Sequence, residues 1–238
     1  MVLWLERDKL DLMNIENFAG RLIRFYRELD PNLKLTEGVS VINPFADERV
    51  WPAFEKFCNK YYSSRTERII ILGINPGRFG AGLTGIPFTD PYHLDAECGI
   101  KNEFDKRKEL SSIVIHDLIN LMGGAHEFYD KFYISSVSPF GFLKDGKNYN
   151  YYDDPELFDN LKEFIVASIE KQMDLPCSDQ IAFSLGRGKN YKYLSELNDE
   201  YKWFKKVIAL AHPRWMIQYQ RKNYDKLLSE MAQILAKA

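Results

Sequence analysis

Apolar residues recur at helical spacing in the first part of this chain and as short β-branched runs after it. Ile15, Phe18, Leu22, Phe25 and Leu29 fall on one stripe, which predicts a helix over Asn14 to Leu29, ended by Pro31. Val39 to Ala46 reads as irregular, with Asn43-Pro44 as a turn, and Glu48 to Tyr62 reads as a second helix. The texture then changes. Arg68-Ile69-Ile70-Ile71-Leu72, ended by Gly73, suits a strand covered on both faces. Phe132 to Val137, Gln180 to Leu185 and Lys206 to Ala211 have the same character.

Helical patterns separate these runs. Ser111 to Met122 is one. Asp154-Pro155 is a good helix start, followed by Leu157, Leu161, Phe164, Ile165 and Ile169 along one stripe. Arg221 to Ala236 carries Leu227, Leu228, Met231, Ile234 and Leu235. Strands alternating with helices predict an α/β fold: a three-layer α/β/α sandwich with a central, mainly parallel four-stranded sheet. A single domain over residues 1–238 is expected, with an N-terminal helical segment over about 1–65. In such sheets a site lies beyond the carboxyl ends of the strands. The loops after Leu72, Val137, Leu185 and Ala211 are therefore the ones to inspect.

Composition narrows the function classes. Hydrophobic residues at 45% and charged residues at 28% exclude a disordered or fibrous chain. The net charge of −2 provides no global field for nucleic acid, so a polyanion partner needs a local basic face. Cys58, Cys98 and Cys177 lie far apart, against a disulfide framework, a zinc ribbon or an iron–sulfur cluster. His93, His116 and His126 have no metal-ligand spacing. The charged stretch Met1 to Leu10 is unlike a signal peptide, and no apolar run nears the roughly 18 residues of a membrane span. A cytoplasmic protein that uses no cofactor and no metal is expected.

Two loops concentrate the chemistry. Gly73 to Phe88 holds five glycines and two prolines directly after a buried strand. Backbone this bare can approach a ligand closely. It is neither a Walker loop, because no Gly-Lys-Ser/Thr follows, nor a GxGxxG turn, because Pro76 interrupts the spacing. The second, His212 to Tyr219, places a histidine fixed by Pro213 at a strand end. A lone histidine there could equally be a hydrogen-bonded core residue.

Gly73-Ile74-Asn75-Pro76-Gly77-Arg78-Phe79-Gly80, followed by Thr84-Gly85-Ile86-Pro87-Phe88, resembles the first motif of the single-strand-selective monofunctional uracil-DNA glycosylases. His212-Pro213 resembles the start of the second motif of the wider uracil-DNA glycosylase superfamily. Val41-Ile42-Asn43-Pro44 and Ser138-Pro139-Phe140 also resemble family segments. The pattern fits a divergent bacterial branch.

The resemblance implies that a deaminated base is flipped out of DNA and its glycosidic bond hydrolysed. Asn75 would hold the attacking water and His212 would donate to the departing base. Phe88 would stack on it, with Ile74, Gly77 and Phe79 lining the pocket. No lysine matches a catalytic position, which implies a monofunctional enzyme without lyase activity.

Two departures stand out. The family asparagine that reads the uracil edge is replaced by Ser136, whose single hydroxyl cannot cover a donor and an acceptor alone; Asn148 is a candidate helper by residue type. Looser reading would admit xanthine beside uracil. The family's His-Pro-Ser-Pro is here His212-Pro213-Arg214-Trp215-Met216. Arg214, Trp215 and Met216 either wedge into the duplex or, for the last two, anchor the final helix in the core. Arg78, Arg187, Lys189 and Arg214 are candidate phosphate contacts. The expected partner is DNA carrying deaminated bases, single- or double-stranded, bound by a monomer away from membranes. A binding protein of the same fold that has lost catalysis is the alternative.

Overall fold

The computed structural model describes residues 17–238. The start of the first predicted helix, residues 14–16, and the charged stretch before it lie outside the described residues. The helix itself, α1 (Phe18–Arg27), is capped by Asn17, whose side chain accepts from Gly20 N–H at 2.8 Å. Its apolar face, with Phe18, Leu22, Phe25 and Tyr26, is buried against α2 (Val50–Tyr61), and Ala19 N–H donates to the Tyr62 carbonyl at 2.9 Å.

Between these helices the structure corrects the sequence reading. Val39–Ile42 is a strand, β1, so the N-terminal segment is not purely helical. It pairs antiparallel with β4 (Gly141–Lys144), Ile42 opposite Gly141, and β4 pairs with β5 (Lys147–Tyr149). This second sheet, in the order β1-β4-β5, was not anticipated. Val39, Val41 and Ile42 are good strand formers, but so short a strand needs a partner, which comes from a hairpin far along the chain. Asn43 then caps a short 3₁₀ turn over Pro44–Ala46.

The main sheet matches expectation: four parallel strands in the order β3-β2-β6-β7, flanked by helices. Its members are β2 (Arg68–Gly73), β3 (Phe132–Ser136), β6 (Cys177–Leu185) and β7 (Lys206–Leu210). The β2 run is central, and Ile70, Ile71 and Leu72 are buried on both faces. Register aligns the carboxyl ends: Gly73 lies opposite Ser136, Leu72 opposite Ser184, and Leu185 opposite Leu210.

The remaining helices are α3 (Ala81–Thr84), α4 (Pro91–Ala96), α5 (Leu110–Leu121), α6 (Ala125–Lys131), α7 (Pro155–Met173), α8 (Lys189–Tyr201), α9 (Pro213–Tyr219) and α10 (Tyr224–Ala236). Asp154 caps α7 as its sequence predicts, accepting from Glu156 N–H at 2.9 Å. Asp90, which stands in no motif, is buried: it caps α4 through His93 N–H and also accepts from Glu109 N–H at 2.6 Å. A continuous apolar cluster runs from α1 to α10. Among the described residues no helix is long and apolar enough to cross a membrane.

Candidate active site

The carboxyl ends of β2, β3 and β7 open on a cavity of about 340 Å³. Ile74, Asn75, Gly77, Phe88, Ser136, Asn148 and His212 all line it. The loop after β2 is laced to the loop after β3: Val137 N–H donates to the Gly73 carbonyl at 3.0 Å and Ser138 N–H to the Ile74 carbonyl at 3.1 Å.

Asn75 is held by the chain after β5. Its Oδ1 accepts from Tyr151 N–H at 3.1 Å and its Nδ2 donates to the Tyr149 carbonyl at 3.2 Å. Both bonds orient the carboxamide, and Oδ1 keeps a second lone pair for a water. Tyr151 is itself buried and donates its hydroxyl to Asn190 Oδ1 at 3.0 Å. Asn190, on α8, donates in turn to Ser184 Oγ at 3.1 Å and to the Leu72 carbonyl at 3.4 Å. This relay from sheet to carboxamide carries no motif, and sequence reasoning missed it.

His212 is the residue before α9 and lies at the end of β7. Pro213 at the first helical position and the bond from Met216 N–H to the His212 carbonyl fix its backbone. Burial, aided by the nearby Arg214 cation, lowers its pKa to about 4, so the imidazole is neutral near pH 7 and offers one N–H. Gly186 packs beside it in ordinary contact, and its φ of +121° is what favours glycine there.

Phe88 has a left-handed backbone, φ 54°, rare for a bulky residue and costing of order 1 kcal/mol. Such strain points to a constrained site. Asn148 accepts from Arg78 N–H through Oδ1 at 3.1 Å, which leaves its Nδ2 as a donor. Ser136 is 5% exposed and its hydroxyl is available to accept or donate. Both line the cavity, so a hydroxyl and an amide N–H face the same space.

A second cavity, about 470 Å³, adjoins the first through Glu109, Ser111, Asn148 and Arg214. Arg78, Arg107, Lys108, Lys147 and Arg214 line it, with Glu109 the one acid in its wall. Positive charge is thus local in a chain whose net charge is −2. Phe79 belongs here and not in the first cavity, which corrects its expected place beside the substrate base. The guanidiniums of Arg78, at 4.4 Å, and Arg107, at 3.9 Å, both lie over its ring. Arg107, Lys108, Lys147 and Glu109 lie outside the motifs.

A third cavity, about 330 Å³, adjoins the first through Ile74, Tyr152 and His212. Arg187, Lys189 and Trp215 line it. Trp215 is 40% exposed, whereas Met216 is fully buried. Met216 is therefore not a DNA contact: it faces the core from α9, a turn past Pro213, which is also buried. The segment after His212 is a helix and not a free loop. Among the described residues, no group of three or more His, Cys, Asp or Glu could hold a metal ion.

Residues 60–236 match the family model described as the Uracil DNA glycosylase superfamily. The crystal structure of wild-type Pedobacter heparinus SMUG2 is similar over 93% of this chain and 98% of that one, with 41% sequence identity and a TM-score of 0.90. A site built at the carboxyl edge of the sheet, a family match over most of the sequence and a close structural relative lead to one conclusion: this chain belongs to the uracil DNA glycosylase superfamily and to its SMUG group.

Proposed function

We propose that this chain is a monofunctional DNA glycosylase that takes uracil, and also xanthine, out of DNA and hydrolyses the bond to deoxyribose, leaving an abasic site. The observation that carries this reading is one cavity lined at once by Asn75, His212, Phe88 and Ser136. A flat heterocycle enters against Phe88. Asn75 aims a water at the sugar carbon. The carboxamide takes no proton, but a developing oxocarbenium ion needs only a weak nucleophile. His212, neutral, donates its N–H to the oxygen where charge gathers on the leaving base; one such donor contributes about 3 kcal/mol to comparable steps.

Ser136 and the Asn148 amide meet the base edge. A hydroxyl that rotates suits more than one donor–acceptor pattern, which supports xanthine as a second substrate. The cation-lined cavities on both sides of the base slot suit the phosphates of the flanking strand.

The test is an oligonucleotide panel carrying uracil, xanthine or hypoxanthine, treated with alkali after incubation. Strand breaks at uracil and xanthine are expected, and Asn75→Ala and His212→Ala should each abolish them. Borohydride should trap no protein–DNA adduct. Binding without cleavage for every lesion would overturn the enzyme reading in favour of a binding protein; cleavage at uracil alone would remove xanthine.

A further inference from the structure

We propose that Glu109 is a catalytic carboxylate, set beside the deoxyribose of the flipped nucleotide, where it offsets the growing positive charge and takes the proton of the attacking water. The inference rests on the glycosylase reading above and adds a group to it.

Placement is the first argument. Glu109 lines both the base slot and the neighbouring cation-lined cavity. With the base in one and a phosphate in the other, the sugar lies between them, at the boundary that Glu109 occupies. The second argument is the loop that carries Asn75. A Cβ on Gly77, two residues after Asn75, would lie 3.3 Å from Glu109 Oε1 and 3.3 Å from Asn148 Nδ2. A Cβ on Gly80 would collide with Glu109 Oε2. Both glycines leave space that the carboxylate fills. The third argument is anchoring: the Glu109 N–H donates to Asp90 Oδ2 at 2.6 Å, and Ser112 Oγ donates to Glu109 Oε2 at 3.5 Å. The backbone of Glu109 is thus anchored, and its carboxylate lies within reach of the Ser112 hydroxyl.

Charge explains why an acid belongs there. Arg78 from the loop, Lys147 from β5, Arg107 and Lys108 before α5, and Arg214 on α9 surround this region. They favour phosphate and disfavour a sugar cation; one carboxylate at the sugar offsets that. Burial and the neighbouring Asp90 raise the Glu109 pKa, while Arg214 and the Ser112 bond lower it. Of the other groups that line the slot, His212 is neutral near pH 7, burial raises the Tyr152 pKa to about 12, and Arg214 supplies a cation. A carboxylate of raised pKa is a stronger base than an ordinary one.

The step balances as a hydrolysis. The water oxygen bonds to C1′, the C1′–N pair leaves with the base as an anion held by the His212 N–H, and the water proton passes to Glu109 and on to solvent.

Single-turnover excision by the full chain, followed from neutral pH into the acid range, tests this. Wild type should slow on acidification. Glu109→Gln should lose on the order of 100-fold in rate and lose the acid limb, while binding abasic-site DNA as tightly or more tightly. Glu109→Asp, which keeps a carboxylate on a shorter arm, should retain the limb at a reduced rate and covers the case in which the amide variant does not fold. A Glu109→Gln rate near wild type, an unchanged limb, or a Glu109→Asp variant without one overturns the assignment alone. A folded wild-type chain inert on every lesion overturns it together with the glycosylase reading.

Discussion

Phe88 lies so close to Gly73 that a methyl group on Gly73 would stand 2.6 Å from Phe88 Cε2 and 2.7 Å from its Cζ. The last residue of the central strand is therefore a glycine for a reason of packing: it makes room for the Phe88 ring that lines the cavity. Gly73→Ala should push the ring out of place. We predict an excision rate at least about tenfold lower and a stability loss of about 1–3 kcal/mol from overpacking. Single-turnover kinetics and urea unfolding measure the two. An unchanged rate in a destabilised protein would show that the ring position does not matter to the chemistry.

Trp215 and Met216 are adjacent yet should behave as opposites. Met216 is fully buried, so Met216→Ala should cost about 2–5 kcal/mol. Trp215 is 40% exposed beside the slot, so Trp215→Ala should change stability by no more than about 0.5 kcal/mol while weakening DNA binding. Thermal melts and fluorescence anisotropy separate the two effects.

Arg107 and Lys147 line the cation-rich cavity. Replacing either by alanine should weaken binding of damaged and undamaged strands alike and reduce the salt slope of log K by about 1. Affinity titrations at several salt concentrations give the slope. A loss confined to one lesion would instead assign the residue to base reading.

His116 and His212 are held far from their ordinary protonation, with pKa lowered from 6.5 to about 3 and about 4, in both cases chiefly by burial. The unfolded chain binds protons in this window and the folded one does not. The stabilisation is therefore complete above the unfolded value and declines as pH falls toward the folded values. At pH 5 each should have cost about 2 kcal/mol relative to neutral pH. His116 stacks on His93 at 4.6 Å, away from the slot, so His116→Gln should flatten the pH dependence of the melting temperature without abolishing excision.

Contiguous patterns made much of this fold legible. The β2 run, its ending glycine and the Asp154-Pro155 start could be read in place, because strand burial and helix capping act through neighbours in sequence. β1 is short and followed by the Asn43-Pro44 turn, and its partner β4 lies far along the chain, so its β-branched residues alone did not mark it. The site divides the same way. Asn75, Phe88 and His212 stood in motifs, but Glu109 and Tyr151 reach the same place through folding and carry no local mark. Phe79 was misplaced because a motif lists residues in order, whereas the loop sends successive side chains in different directions. For Met216, which the sequence leaves between a DNA wedge and a core anchor, the helix after Pro213 selects the core; the proline at a helix start was the available signal.

The β4–β5 ribbon ends at Tyr149, whose carbonyl, with the Tyr151 N–H, grips Asn75, while Lys147 and Asn148 on the same short strand form the rim of the site. A tug on the rim is consequently a tug on the nucleophile's holder. On the proposed reading, the hairpin that would meet the strand also holds the carboxamide that would place the water, so mutations in it should change binding and excision together.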